Sequence, residues 1–327
     1  MIGKNTNGIL AALIIFLIGD AFGQSNTNAG AGISSFVVTR PQSLAVEFWT
    51  PDRMKAAQAP NVSLPTGNAP TFRSLPVADG PAITVDALSP DSSSRVSRAA
   101  NAYGRQAATT GRVFWACSAN ILYSCSATVI PATSSDLIVT AAQCVYDTTT
   151  KNWLINCNWV FVPGYSNGVA PYGIWAARQA VVSLAWTQSN RDYKYDVAFV
   201  ALSTVSGRHI SQVTGSQSLG FNYPRSQPTY VFGYSLNLGN GQTLQSCSGT
   251  PAASPYILNN YKGQILRSCL LSSGSGGGPW LQQFNTATGV GVVYSVTSFF
   301  VTSIAYNING PVFDSNANAL WAYIQAR

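Results

Sequence analysis

Leu137-Ile138-Val139-Thr140 is a run of aliphatic and β-branched side chains, the composition that suits a pleated, half-buried surface. Four more runs share its texture: Arg112-Val113-Phe114-Trp115, Trp159-Val160-Phe161-Val162, Val197-Ala198-Phe199-Val200 and Thr229-Tyr230-Val231-Phe232. Clusters of Gly, Pro and Asn separate them, and no long stretch after Gly111 has helical period. Many short strands with regular turn punctuation predict a β-sandwich or barrel. With no alternating helices to support a parallel sheet, the strands should be antiparallel. About 215 residues of this texture fit one large β domain or two small barrels. One helix is predicted at the end, where Ala319, Leu320, Tyr323 and Ile324 fall on one face.

The chain ahead of Gly111 reads differently. Lys4, an apolar run from Ile9 to Gly19 and the small-residue pattern Ala21-Phe22-Gly23 together make a secretory signal peptide over residues 1–23. The run falls short of the ~20 apolar residues of a spanning helix, so a membrane anchor is the weaker reading. Residues 24–110 are irregular, rich in Pro, Ser, Ala and Asn, and free of cysteine. They carry the chain's one glycosylation sequon, Asn61-Val62-Ser63. Arg95, Arg98, Arg105 and Arg112 offer cutting points. A pro-segment or extended arm is expected here, with a disordered tail as the competing reading.

Composition narrows the class. Only 9% of residues are charged while 46% are hydrophobic, where a cytosolic enzyme would carry about 25% charged. The formal net charge of +7 comes from scattered Lys and Arg with no basic run, so no nucleic-acid footprint is visible. Six cysteines behind a signal peptide imply disulfides in a secreted, extracellular protein, but spacing alone leaves fifteen pairings open. Zinc is a poor alternative: there is no CxxC pair, and the single histidine, His209, is far in sequence from every cysteine. No metal and no cofactor are expected.

Three segments carry a recognisable order. Ile138-Val139-Thr140-Ala141-Ala142-Gln143-Cys144-Val145 resembles the "VVTAGHCV" that presents the catalytic histidine of chymotrypsin/trypsin-like serine peptidases. Tyr195-Asp196-Val197-Ala198-Phe199-Val200 resembles the segment carrying their aspartate. Cys269-Leu270-Leu271-Ser272-Ser273-Gly274-Ser275-Gly276-Gly277-Gly278-Pro279-Trp280 resembles "CNMTGGSSGGPW", the nucleophile loop of a secreted trypsin-like subfamily of bacteria and fungi. Phe48-Trp49-Thr50-Pro51-Asp52-Arg53-Met54 looks like the "YWTPERM" of that subfamily's pro-region. Phe161 to Tyr165, Pro171 to Trp175, Cys247 to Thr250 and Gly310-Pro311 also fall in the family's order.

The resemblance implies an all-β fold of two antiparallel six-stranded barrels, residues 111–205 and about 206–313, with a C-terminal helix at about 316–326. It also implies disulfides Cys125–Cys144, behind the histidine position, and Cys247–Cys269, bracing the nucleophile loop. Cys117–Cys157 is the remaining pair and has no family counterpart.

The departures from the pattern decide the expected function. Gln143 stands at the histidine position, and a carboxamide has no usable basicity. Counting back from Pro279, the serine position is Gly276, with Ser275 one place early. Asp196 keeps the family residue and should accept from a Gln143 amide donor. Phe300 replaces the glycine that opens the specificity pocket beside Ser298, and should fill it. The oxyanion-hole equivalents Gly274 and Gly276 act through backbone N–H groups, which need no side chain.

The resemblance thus implies a secreted pseudo-peptidase with no intact triad, acting as a monomeric binding or regulatory protein. Its partner would be a peptide or protein in the cleft between the barrels, with no nucleic acid and no membrane. An active secreted endopeptidase using Ser275 with Asp196 or His209 is the alternative, although His209 reads as a solvated surface histidine. A secreted protein with a purely structural role and no ligand is a third reading.

Overall fold

Six strands of the first half close on themselves. They are β1 (Thr110–Ser118), β2 (Ile121–Val129), β3 (Leu137–Thr140), β4 (Val160–Pro163), β5 (Trp175–Ser183) and β6 (Ala198–Leu202). Their order is β5-β4-β1-β2-β3-β6, and a β5–β6 pairing shuts the barrel with every neighbour antiparallel. The computed structural model describes residues 23–28, 31–60, 63–64, 79–91, 105–256, 261–301 and 306–327. Residues 1–22 of the expected signal peptide, the sequon residue Asn61, and Arg95 and Arg98 lie outside these ranges.

The second half is also all β: β7 (Ser218–Phe221), β8 (Thr229–Gly233), β9 (Gln245–Gly249), β10 (Gln264–Arg267), β11 (Pro279–Asn285), β12 (Val290–Val296), β13 (Phe300–Val301) and β14 (Asn307–Gly310). It divides into a sheet ordered β9-β8-β11-β12-β7 and a smaller one joining β10 to β14. The β7–β12 pairing is parallel over two residues, and the rest of those two sheets is antiparallel. The lobes share one apolar core, in which Leu137, Val139 and Phe199 meet Phe232, Leu281 and Val296.

The helix Ser315–Ile324 packs on the same core. Asp314 caps it by accepting from the Asn316 and Ala317 amides, and that phase buries Ala317, Leu320 and Ile324. Ala319, expected on the buried face, is exposed, and Tyr323 is only half-buried. Disulfides join Cys117 to Cys157, Cys125 to Cys144 and Cys247 to Cys269. Among the described residues no helix is long and apolar enough to cross a membrane.

The segment before the barrels is built into them wherever it is described. Ile33–Val38 pairs with β5 on one side and with Gly23–Asn28 on the other, while Ile83–Val85 pairs with β7. Helices α1 (Gln42–Phe48) and α2 (Pro51–Ala56) lie on the outside of the first barrel. Thr50 caps α2 by accepting from the Arg53 amide, with Pro51 at the first helical position. This cover explains why β1 is apolar on both faces. Val113 and Trp115 fill the barrel, while Phe114 and Ala116 pack outward on Ala45, Trp49, Met54 and Ala57.

A buried cation fastens the arm. Arg112, with 0% of its surface exposed, donates to the Met54 and Ala57 carbonyls and to Ser124 Oγ. Its guanidinium lies 4.9 Å from the Phe114 ring centre and 5.3 Å from that of Tyr165. Truncation would leave two buried carbonyls without a donor, at about 1–3 kcal/mol each. We therefore expect Arg112→Ala to lower unfolding stability by about 3 kcal/mol, read as a lower urea midpoint. A midpoint within error of the native chain would show that the arm is held by apolar packing alone.

Candidate functional site

The turn after β3 is set by its small residues. Ala141 and Ala142 are fully buried, and the Cys125–Cys144 disulfide fixes the far side, so Gln143 alone projects toward the second lobe. Its backbone N–H donates to Asp196 Oδ1 at 2.9 Å. Its side-chain Nε2 donates instead to the Ser298 carbonyl at 2.6 Å. The amide donor expected for Asp196 is thus the main chain of Gln143, and the carboxamide links the two lobes.

Asp196 has no exposed surface. Its second oxygen accepts from Ser298 Oγ at 2.5 Å. Burial pushes its carboxyl up to about 6, while hydrogen bonds from Ser298 and from the Gln143 and Ala142 amides pull the other way. Ser298, expected only as pocket wall, is therefore the hub: it donates to the carboxylate, accepts from Gln143, and gives its own N–H to Asn309 O at 2.8 Å.

The glycine-rich loop approaches from the second lobe. Gly274 and Gly277 sit at φ +94° and +81°, and a Cβ on Gly277 would overlap Thr140 Oγ1 and the Ser126 carbonyl. Both positions require glycine. Gly276 differs: its φ is outside the left-handed region, and a Cβ there would meet nothing nearer than Gln143 Nε2 at 3.6 Å and Cys125 Sγ at 3.9 Å. A side chain at position 276 would point at residue 143. Among the described residues, no hydrogen-bond acceptor is found for the Gly274 or the Gly276 N–H.

Ser275 points elsewhere. It is fully buried, its Oγ donates to Ser272 O at 2.6 Å, and its Cβ lies 2.8 Å from where a Cβ on Gly233 would stand. His209 lies at the surface as expected, with 41% of its side chain exposed, and its ring also has a partner. Its Nδ1 lies 2.6 Å from Oδ2 of the buried Asp136, which Arg178 also approaches at 3.7 Å. Neither Ser275 nor His209 joins the Asp196 cluster.

Phe300 is half-buried at the start of β13 and pairs through its backbone with Ser63. The preceding Phe299 takes the interior place, 4.7 Å from Tyr193 and 5.1 Å from Tyr261 between ring centres. A cavity of about 290 Å³ opens beside Gln143, walled by Trp115, Tyr123, Tyr146 and Trp186, with Asp147 and Arg191 among its lining. Burial pushes the Asp147 carboxyl up, but hydrogen bonds from Thr149 and Thr150 and the charge of Arg191 bring it below its ordinary value. No motif announced this cavity, since its aromatic residues come from four separate segments. Among the described residues no group of three His, Cys, Asp or Glu side chains is placed to hold a metal.

No protein-family model and no curated protein matches the chain. Solved structures do. The thermostable serine protease AL20 from an extremophilic microorganism is 30% identical with a TM-score of 0.60, over 68% of this chain and 98% of that one. The protease Anisep from Arthrobacter nicotinovorans is 29% identical with a TM-score of 0.60, over 67% and 96%. A Glu endopeptidase in complex with MPD, 16% identical with a TM-score of 0.52 over 74% and 98%, shares the fold.

The Asp196 carboxyl makes stability depend on pH with a definite sign. Its folded value lies above the ordinary 3.8, so its contribution is intact below about pH 4 and is lost as pH rises through about 6. A rise of about two pH units is worth about 3 kcal/mol. Asp196→Asn keeps an acceptor for the Gln143 amide and adds no charge. Urea unfolding from pH 4 to 7 should therefore show the native chain losing ground to the variant by up to that amount. Parallel curves would mean that the buried carboxyl does not titrate in this range.

Proposed function

The chain belongs to the trypsin- and chymotrypsin-like serine protease family, and we propose that it is a member that binds polypeptide without cutting it. The observation that carries this reading is the pair at the centre of the site. The position that points at residue 143 is Gly276, with no side chain to act as nucleophile, and the group it faces is a carboxamide. Acyl transfer needs a hydroxyl or thiol and a base near neutrality to take its proton. Gln143 offers no such base, and its Nε2 is already engaged with Ser298. The rearranged site has no support: Ser275 Oγ is committed to Ser272 O, and His209 to Asp136.

What remains is a binding site. The free amides of Gly274 and Gly276 suit a carbonyl or carboxylate oxygen, and the aromatic cavity beside Gln143 suits an apolar side chain. Loss of triad members costs up to ~10⁶ in turnover, and the remaining oxyanion site and binding give only ~10³–10⁴ over water. For peptide bonds that is negligible. Three disulfides support an extracellular setting, which fits an export signal over residues 1–23 and a monomer acting on polypeptide outside the cell.

Purified protein should not turn over casein or fluorogenic peptides, nor take a fluorophosphonate label. Gln143→His alone and Gly276→Ser alone should stay inactive, because base and nucleophile act as a unit. The double variant should gain the label, since position 276 has room for the hydroxyl. Turnover by the unaltered chain that disappears in Ser275→Ala would sink the proposal.

A further inference from the structure

Two charges of opposite sign line the aromatic cavity beside Gln143, and they do not pair with each other. They are Asp147 and Arg191. Among the described residues they form no ion pair, and Thr149 bonds to both instead. Its N–H donates to Asp147 Oδ1 at 2.9 Å, while Arg191 Nη2 reaches its hydroxyl only at 3.5 Å. Asp147 stays a carboxylate in spite of partial burial, because Thr149 and Thr150 donate to it and the charge of Arg191 is near. Both groups keep hydrogen-bonding capacity that the protein does not use, since a carboxylate has several lone pairs and a guanidinium a fork of donors.

The rest of the wall is apolar and already in place. Trp115 is 2% exposed, Trp186 1% and Tyr146 6%. Trp115 stacks on Tyr123 with ring centres 5.5 Å apart, and Trp186 Nε1 donates to the Tyr146 carbonyl at 3.4 Å. These rings are fixed before any ligand arrives, which lowers the cost of binding. A volume of about 290 Å³ lies at the small end of ligand sites, which run to ~1,000 Å³. That is room for one ring-bearing residue, and too little for a length of chain.

We propose that the cavity binds a free aromatic α-amino acid, with its ring among Trp115, Tyr146 and Trp186, its ammonium on Asp147 and its carboxylate on Arg191. Only a ligand with both charges a few bonds apart satisfies both groups. A simple amine leaves the guanidinium without a partner, and a simple acid leaves Asp147 without one. Hydrogen bonds between ionised groups are the strong kind, and the guanidinium fork matches a carboxylate. Gln143 adds an acceptor: its Nε2 is held by the Ser298 carbonyl, and among the described residues no donor is found for its Oε1. The proposal rests on the cavity as a place for an apolar side chain, and not on how the cleft handles polypeptide.

The test varies ligand and protein together. In calorimetric titration of the unaltered chain, L-tryptophan should bind at least about tenfold more tightly than each of three analogues. These are tryptamine, which lacks the carboxylate, 3-indolepropionate, which lacks the ammonium, and L-alanine, which lacks the ring. Asp147→Asn should weaken L-tryptophan and tryptamine by about tenfold and leave 3-indolepropionate no weaker. Arg191→Gln should weaken L-tryptophan and 3-indolepropionate by about the same factor and leave tryptamine no weaker. No saturable binding of L-tryptophan at millimolar concentration, equal binding of the four ligands, or variants that weaken every ligand alike would each overturn the proposal. Urea midpoints report whether the variants are folded; if either is not, the four ligands on the unaltered chain decide alone. Binding is read with amino acids and cleavage with peptides, so a chain that cuts would defeat the non-catalytic reading while leaving this one standing.

Discussion

Ser126 joins the two lobes, and the geometry of the cleft follows from it. This fully buried residue of β2 donates its N–H to Gly276 O at 2.8 Å and its hydroxyl to Gly274 O at 2.9 Å. The same hydroxyl accepts from the Tyr234 N–H, and its carbonyl accepts from Thr140 Oγ1. Every polar group of one small side chain and its peptide is therefore used, in four directions, with nothing left unsatisfied. The glycine loop can lie flat against the first barrel because Gly277 has no side chain to hold it off. That contact sets position 276 opposite residue 143 and the disulfide behind it.

Within this frame, the buried carboxylate is held by fixed hydrogen bonds from both lobes. A buried carboxylate is costly unless donors surround it, and Asp196 has them from Ser298 and two backbone amides without any imidazole. The carboxamide of Gln143 then closes the gap between lobes by reaching the Ser298 carbonyl.

Much of this was legible in the sequence. The five short runs are strands, and the glycine pattern before Pro279 marked the loop. Gln143, Asp196 and Gly276 come from three separate segments and lie together in the structure. On the C-terminal helix Leu320 and Ile324 are buried as expected, while Ala317 rather than Ala319 lies beside them. The docked arm was not legible, although a clue was present: Val113 to Ala116 is apolar at consecutive positions, which means cover on both faces. Nothing in that run says which distant segment supplies the cover. The cavity was hidden for a similar reason, since Trp115, Tyr123, Tyr146 and Trp186 are gathered by barrel closure and no local pattern links them. The partner of His209, Asp136, was not legible because it lies far away in sequence.

The arm's attachments impose an order on folding. Its segments are made first, yet Ile33–Val38 needs β5, Ile83–Val85 needs β7, and Ser63–Leu64 needs β13, which is made almost last. The β1–β2 hairpin and its neighbours can form from nearby sequence, but these three pairings close very long loops, and such contacts come slowly. The arm must therefore dock late, after the strands it borders have formed.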